Sequence, residues 1–172
     1  VPLVRAMIHA VAALFALLLA AAILLAGNGL QSTLISVRAS MEGFPAALIG
    51  ILMSAYFAGF VAGCRINPRF IMSVGHIRTF VALASIGSAS ALAHALYIDI
   101  LAWAILRAIT GFCFAGLFMV IESWINERAT NSNRGRILSV YRIVDLLALT
   151  GGNAMLMLAN PAGFQLFAVV SI

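Results

Sequence analysis

Between Glu42 and Arg65 the chain reads GFPAALIGILMSAYFAGFVAGC (residues 43–64) and contains no charged side chain. An α-helix needs about 20 predominantly apolar residues to cross about 30 Å of hydrocarbon, because it rises about 1.5 Å per residue. The strands of a membrane barrel instead alternate apolar and polar residues over about 10 positions. The run is continuous and rich in Ala, so it predicts a transmembrane helix.

Similar apolar runs occur along the whole chain. They predict spans at about residues 8–30, 45–66, 79–98, 101–121 and 137–158, with an incomplete sixth span at 164–172. The predicted fold class is an all-α membrane protein, a polytopic helix bundle that fills residues 1–172 as one transmembrane domain. Because the chain starts with Val1 and the sixth run is short, we expect it to be a piece of a longer protein.

The composition excludes several classes of protein. Of the 172 residues, 64% are hydrophobic and 9% are charged, whereas a soluble domain carries about 25% charged residues. The net charge of +5 comes from arginines between the apolar runs, which argues against a nucleic-acid-binding face. Cys64 and Cys113 provide no disulfide framework, and the three histidines lie far apart, so we expect no metal site and no cofactor.

The arginines also predict the orientation, because cytoplasmic loops of membrane proteins are enriched in basic residues. With the N-terminus in the cytoplasm, the inner segments carry Arg5, Arg65, Arg69, Arg78, Arg128, Arg134 and Arg136, and the outer segments carry Arg38. We therefore expect a multi-pass protein of the inner (plasma) membrane with a cytoplasmic N-terminus. His94, Tyr97 and Trp103 then fall near the outer surface, where we expect interfacial side chains.

Small residues four positions apart occur inside two of the predicted spans. Gly59 and Gly63 form such a pair on helix two, and Gly111 and Ala115 form one on helix four. This spacing lets helix backbones approach closely, so it predicts a tightly packed bundle.

Two short motifs resemble those of a known transporter family. Gly75 and Arg78 match the end of a family motif between helices two and three, although Met72 stands where that motif has Asp. Arg107 and Gly111 form an Arg-x-x-x-Gly element on predicted helix four.

A third motif follows helix four, where Glu122 precedes the run Arg134-Gly135-Arg136. Helix five then contains Gly151-Gly152, which resembles the end of an antiporter motif, but Ala148 stands where that motif has Pro. Together with six predicted helices and basic inner loops, these motifs make the chain similar to the N-terminal half of a major facilitator superfamily transporter. The resemblance covers essentially the whole chain.

The resemblance implies two three-helix repeats, a truncated last helix and a missing C-terminal half of the same protein. It implies three kinds of partner: a small-molecule substrate, protons or another coupling ion, and the lipid bilayer. Candidates for a cytoplasmic gate are Gly75 and Arg78 of the first motif, together with Glu122, Arg134 and Arg136. We expect the last three to form salt bridges of the loop, and these bridges could close the gate.

Charged side chains inside the spans are the main candidates for a substrate or coupling site, because a charge at mid-bilayer costs at least about 2.5–3.5 kcal/mol. Arg107 either binds an anionic group, alternates with a proton site, snorkels outward or forms a structural ion pair. Arg142 and Asp145 lie three residues apart on helix five and can pair. Either the pair has a structural role, or Asp145 is a carboxylate whose protonation is coupled to transport. A salt bridge from Asp145 to Arg107 is a third possibility.

Polar residues within the spans complete the candidate site. They are Asn28 and Gln31 on helix one, and Tyr141 and Asn153 on helix five. Each either lines a solute pathway or serves packing and helix ends.

The resemblance implies a secondary active transporter of small solutes that works by alternating access and is coupled to protons. The excess positive charge inside the spans favours an anionic or amphiphilic substrate. The chain contains no lysine and therefore no Gly-x-x-x-x-Gly-Lys-Ser/Thr nucleotide loop. It also lacks the common hydrolase motifs, so we do not expect an enzyme. The alternative is a non-transporting scaffold or sensor with a transporter-like fold, favoured by the altered motif at Met72.

Overall fold

The protein is built from α-helices. The computed structural model describes residues 2–128, 134–157 and 163–171, without the side chains of residues 2–14, 16, 17 and 128. The helices are α1 (Pro2–Met41), α2 (Ala46–Val74), α3 (His76–Leu96), α4 (Ile100–Arg128), α5 (Arg134–Met155) and α6 (Phe164–Val170). No strand occurs in the described ranges, so the predicted all-α fold class is confirmed.

Four segments are long and apolar enough to cross a membrane. They are Leu18–Met41 of α1, Ala46–Val74, His76–Leu96 and Ile100–Glu127 of α4. Within the described residues α5 and α6 do not qualify: α5 carries several charged residues and α6 has seven residues. Several apolar helices establish a multi-pass membrane protein, and crossing by α5 and α6 stays a prediction.

A single residue, Gly75, separates α2 from α3. Its φ of +93° lies in a region that side chains with a Cβ atom rarely adopt. The N–H of Gly75 donates to the carbonyl oxygen of Ile71 at 3.0 Å and ends α2. The glycine of the family-like motif is therefore the joint between two long helices.

The closest backbone approach among the helices is built from glycines on α2 and α4. A Cβ atom on Gly59 would overlap the carbonyl group of Ala108, and one on Gly111 would overlap the carbonyl group of Tyr56. Gly63 faces the carbonyl oxygen of Phe112 in the same way. The close packing predicted from the small-residue spacing is confirmed for this helix pair.

A second tight pair joins α1 to α5. A Cβ atom on Gly152 would overlap the carbonyl group of Ala26. Seven residues after Ala26, the hydroxyl of Thr33 donates to Oδ1 of Asn153 at 2.7 Å. Helix α3 packs on α4, and α6 packs on α3 and α1, so the described bundle rests on the pairs α2–α4 and α1–α5.

Many large apolar side chains are exposed, as expected for a surface that faces lipid or further protein. Phe57 and Val61 on α2 and Leu146 and Leu147 on α5 are each more than half exposed. An aqueous solvent would oppose this arrangement, whereas hydrocarbon does not.

Candidate functional site

Arg107 lies inside the bundle, where α4 meets α1 and α2. Its side chain is 1% exposed. Its Nη2 donates to Oγ of Ser32 at 3.3 Å and lies 3.9 Å from Sδ of Met53. The guanidinium carbon sits 4.5 Å from the centroid of the Tyr56 ring, a distance at which a cation is attracted by an aromatic face. Arg107 therefore neither snorkels nor reaches the surface.

No carboxylate pairs with this buried cation among the described residues. Its Nε and Nη1 have no hydrogen-bond partner there either. A buried charge is normally paired, because leaving water costs several kcal/mol that only a counter-charge with good hydrogen bonds offsets. The predicted bridge to Asp145 is not formed in this structure. Within the part of the chain that the structure describes, two donor atoms of Arg107 therefore remain without an acceptor.

Polar groups of α1 continue this arrangement. Oδ1 of Asn28 and Nε2 of Gln31 are also buried without a hydrogen-bond partner among the described residues. The side chain of Asn28 lies close to the hydroxyl of Tyr56. We call Asn28, Ser32, Met53, Tyr56 and Arg107 the Arg107 cluster. It brings together two of the predicted site residues, Asn28 and Arg107.

Apolar side chains shield the Arg107 cluster. Leu34, Leu52 and Trp103 are fully buried in one core group on the side where α1 ends and α2 begins, which is the predicted outer end. Phe114 and Leu117 pack with Tyr56 on the other side. Shielding from water strengthens any interaction between the guanidinium and an anion, because the local dielectric constant is low.

An apolar cavity of about 390 Å³ lies beside this region, between α1, α3, α4 and α6. Gln31, also a predicted site residue, lines it together with Leu30 and Phe114. Gln31 thus faces a different space from the Arg107 guanidinium.

A second group of charges lies between α4 and α5 near the predicted inner end. Arg142 Nη1 is 3.3 Å from Oδ2 of Asp145, which confirms the predicted pairing. Arg142 Nη2 is also 4.0 Å from Oε1 of Glu122. These three residues, the α4–α5 charge cluster, line a cavity of about 400 Å³ with Tyr141 and Cys64.

The α4–α5 charge cluster differs from the Arg107 cluster in its solvent exposure. The Arg142 side chain is 67% exposed and that of Glu122 is 47% exposed. Ion pairs at such exposure contribute about 0–1 kcal/mol, so they form and break easily. Tyr141 is buried beneath them, with its ring centroid 5.7 Å from the Arg142 guanidinium carbon.

The remaining predicted site residues do not join either cluster. Asn153 binds Thr33, and Gly75 is the joint between α2 and α3. Arg78, Arg134 and Arg136 are exposed, and no ion pair to them is found within the described ranges. Glu122 of the predicted gate instead approaches Arg142.

Two expectations about aromatic residues near the outer end were wrong. Trp103 is 0% exposed and donates through Nε1 to the carbonyl oxygen of Tyr97 at 2.5 Å. His94 is equally buried beside it, with a ring-centroid distance of 6.1 Å. Only Tyr97 of the three is exposed. The short α3–α4 connection folds Trp103 inward, where its N–H finds a carbonyl partner.

Sequence reasoning missed Tyr56 and Met53 as neighbours of Arg107. Tyr56 carries one of the two hydroxyls in a largely apolar run and lies three residues before Gly59. Because residues three apart share a helix face, the small-residue motif on α2 already placed Tyr56 toward its partner helix. That signal could have identified the aromatic residue.

The chain is similar to bacterial proteins named as transporters. It is 27% identical over 139 residues to an uncharacterized MFS-type transporter of Yersinia pestis (strain Pestoides F), covering 81% of this chain and 36% of that protein. Proteins of the same description match from Enterobacter sp. (strain 638), at 27% identity over 73% of this chain and 33% of the relative, and from Escherichia fergusonii, at 27% over 66% and 30%.

The chain spans about a third of the length of these curated relatives. No family model and no solved structure matches it. The relatives carry the family description that the sequence motifs suggested, so the predicted resemblance to a major facilitator transporter is confirmed.

Proposed function

We propose that the full-length protein is a secondary active transporter that moves a small anionic or amphiphilic solute by alternating access. The Arg107 cluster is its anion-binding site. The observation that carries this proposal is a guanidinium at 1% exposure with two unpartnered donors and no carboxylate beside it among the described residues. The names of the relatives support transport rather than catalysis.

The position of the cluster suits binding that is coupled to movement. Ser32 and Asn28 belong to the α1–α5 pair, whereas Tyr56, Met53 and Arg107 belong to the α2–α4 pair. An anion held by Arg107 would also contact Ser32, and so would tie the two pairs together. In our proposal, residues 1–172 form one half of the pathway, and the rest of the protein completes it.

We assign coupling to the α4–α5 charge cluster. Protonation of Asp145 would remove its negative charge. Arg142 would then pair with Glu122 alone, and the Arg142 guanidinium would shift across the cavity. The exposed, weak pairs make this exchange inexpensive. We place this cluster with Gly75, Arg78, Arg134 and Arg136 at a cytoplasmic gate in the inner membrane, and protons or another ion supply the energy.

The test compares Arg107→Gln with Arg69→Gln in the full-length protein. Arg69 is an exposed arginine on α2 outside both clusters, so it controls for the loss of one positive charge. Uptake into proteoliposomes is measured for a panel of carboxylates and phosphate esters, and binding is measured by calorimetry. Because hydrogen bonds to a charged group contribute about 1.5–3 kcal/mol, Arg107→Gln should weaken binding by about 10- to 100-fold.

Wild-type flux by Arg107→Gln would remove the cluster from the mechanism. Tight binding of an anion by the wild-type protein without any flux would favour the scaffold or sensor. Flux of neutral or cationic solutes alone would contradict the anionic substrate.

A further inference from the structure

The Arg107 cluster leaves three buried polar atoms without a hydrogen-bond partner in the part of the chain that the structure describes. Two are donors, Nε and Nη1 of Arg107, and the third is an acceptor, Oδ1 of Asn28. Buried polar atoms are paired in nearly all native structures, so each unpaired one calls for an explanation. The pattern of two donors and one acceptor describes the ligand that would complete it.

The three atoms lie in one region, because Asn28 and Ser32 are one turn apart on α1. Oγ of Ser32 accepts from Nη2 of Arg107 at 3.3 Å. Residues four apart on a helix are neighbours, with about 5–6 Å between their Cβ atoms. Tyr56 links the same groups, since Asn28 lies close to its hydroxyl and the guanidinium carbon is 4.5 Å from its ring centroid. A small molecule with an acceptor and a donor about one helical turn apart can therefore reach both side chains.

The charge of the Arg107 cluster limits the charge of that molecule. Arg107 is the one charged member of the cluster, and no ion pair to it is found within the described ranges. Tyr56 and Met53 place an aromatic ring and a thioether against the guanidinium, so the local dielectric constant is low. One carboxylate neutralises this site, whereas a second negative charge would be buried without a counter-charge. A zwitterion would leave a net positive charge buried.

We propose that the Arg107 cluster selects a monocarboxylate that carries a hydroxyl group at the far end of a short carbon chain. The carboxylate accepts hydrogen bonds from Nε and Nη1 of Arg107, and the hydroxyl donates to Oδ1 of Asn28. The inference rests on the proposed function, because it names the substrate class of the same site.

The test compares four straight-chain acids of equal carbon number on the full-length protein in detergent. They are pentanoate, 5-hydroxypentanoate, glutarate and 5-aminopentanoate, and their binding is measured by calorimetry at pH 8, well above the ordinary histidine pKa of about 6.5. We expect 5-hydroxypentanoate to bind about tenfold more tightly than pentanoate, because its hydroxyl pairs Oδ1 of Asn28. Glutarate and 5-aminopentanoate should bind more weakly than pentanoate, since each buries a charge that nothing in the cluster compensates.

Variants separate the two contacts. Asn28→Leu should abolish the preference for 5-hydroxypentanoate over pentanoate, and Arg107→Gln should weaken both acids. Gln31→Leu is the matched control, because Gln31 is another α1 amide with a buried unpartnered atom but lines the separate apolar cavity. It should keep the preference of the wild type. The comparison of the four acids on the wild-type protein does not depend on a variant folding.

The outcomes distinguish this inference from the proposed function. Equal binding of pentanoate and 5-hydroxypentanoate by the wild type, or a preference that survives Asn28→Leu, would overturn the hydroxyl contact. Tighter binding of glutarate than of pentanoate, or transport of phosphate esters without binding of these acids, would overturn the monocarboxylate and leave an anion transporter in place. Flux of neutral or cationic solutes with no binding of any acid would refute the proposed function and this inference together.

Discussion

Replacing Gly59 by alanine adds one methyl group at the contact between α2 and α4. The new Cβ atom would overlap the carbonyl group of Ala108, which belongs to a helix backbone and cannot rotate aside. The two helices must therefore separate locally, and overpacking of this kind costs about 1–3 kcal/mol. The same separation moves Tyr56, one turn away on α2, from the guanidinium that it covers at 4.5 Å.

The same helix offers a matched control. Gly50 is exposed, and a Cβ atom there meets nothing within 4 Å. Gly50→Ala thus adds the same methyl group without a steric cost, and the better helix propensity of alanine is worth about 1 kcal/mol at most. The difference between the two variants isolates the close packing from the chemistry of the substitution.

The assay is reversible unfolding of the full-length protein in mixed micelles, with anion binding as a second readout. We expect Gly59→Ala to lose about 1–3 kcal/mol of unfolding free energy, and Gly50→Ala to match or exceed the wild type. Anion affinity should fall in Gly59→Ala alone. If both variants unfold like the wild type, α2 and α4 do not approach as closely as described, and the assembly of the Arg107 cluster needs another explanation.

Three further predictions use other parts of the bundle. Gly75→Ala should cost about 1 kcal/mol in thermal unfolding because φ is +93°, whereas Gly135→Ala on α5, with open space at its Cβ, should not. Maleimide should label exposed Cys64 in the folded protein but reach buried Cys113 only after unfolding, as peptide mapping would show; equal labelling would contradict the fold. Asp145→Asn should allow solute exchange without dependence on a pH gradient in proteoliposomes, and a gradient dependence like that of the wild type would exclude this carboxylate from coupling.

The sequence predicted what depends on local spacing. The Arg142–Asp145 pair follows from three residues of separation on a helix, and the fold class follows from the length of the apolar runs. The contact between Arg142 and Glu122 was not predicted, because it joins two helices across the bundle. Helical periodicity fixes the face on which a side chain lies but not the residue that meets it from another helix.

The burial of Trp103 and His94 shows a second limit. Aromatic and titratable residues near span ends usually mark the interface, and position along the helix supported that prediction. Whether such a residue turns inward depends on a partner for its polar atom. For Trp103 that partner is the backbone of Tyr97, in a connection whose conformation the sequence did not specify.

The two glycine-lined helix pairs explain why a polar site can exist inside so apolar a bundle. At the glycines of each pair, backbone approaches backbone and leaves no room for a charged side chain. Between the pairs, α1 faces α2 and α4 through side chains, and this is where Arg107 reaches Ser32 at 3.3 Å. Contacts there are made by rotatable groups, whereas the backbone contacts at the glycines of each pair are steric and resist displacement. A change of shape driven by an anion would therefore separate or join the pairs at the Arg107 cluster before it disturbed either pair.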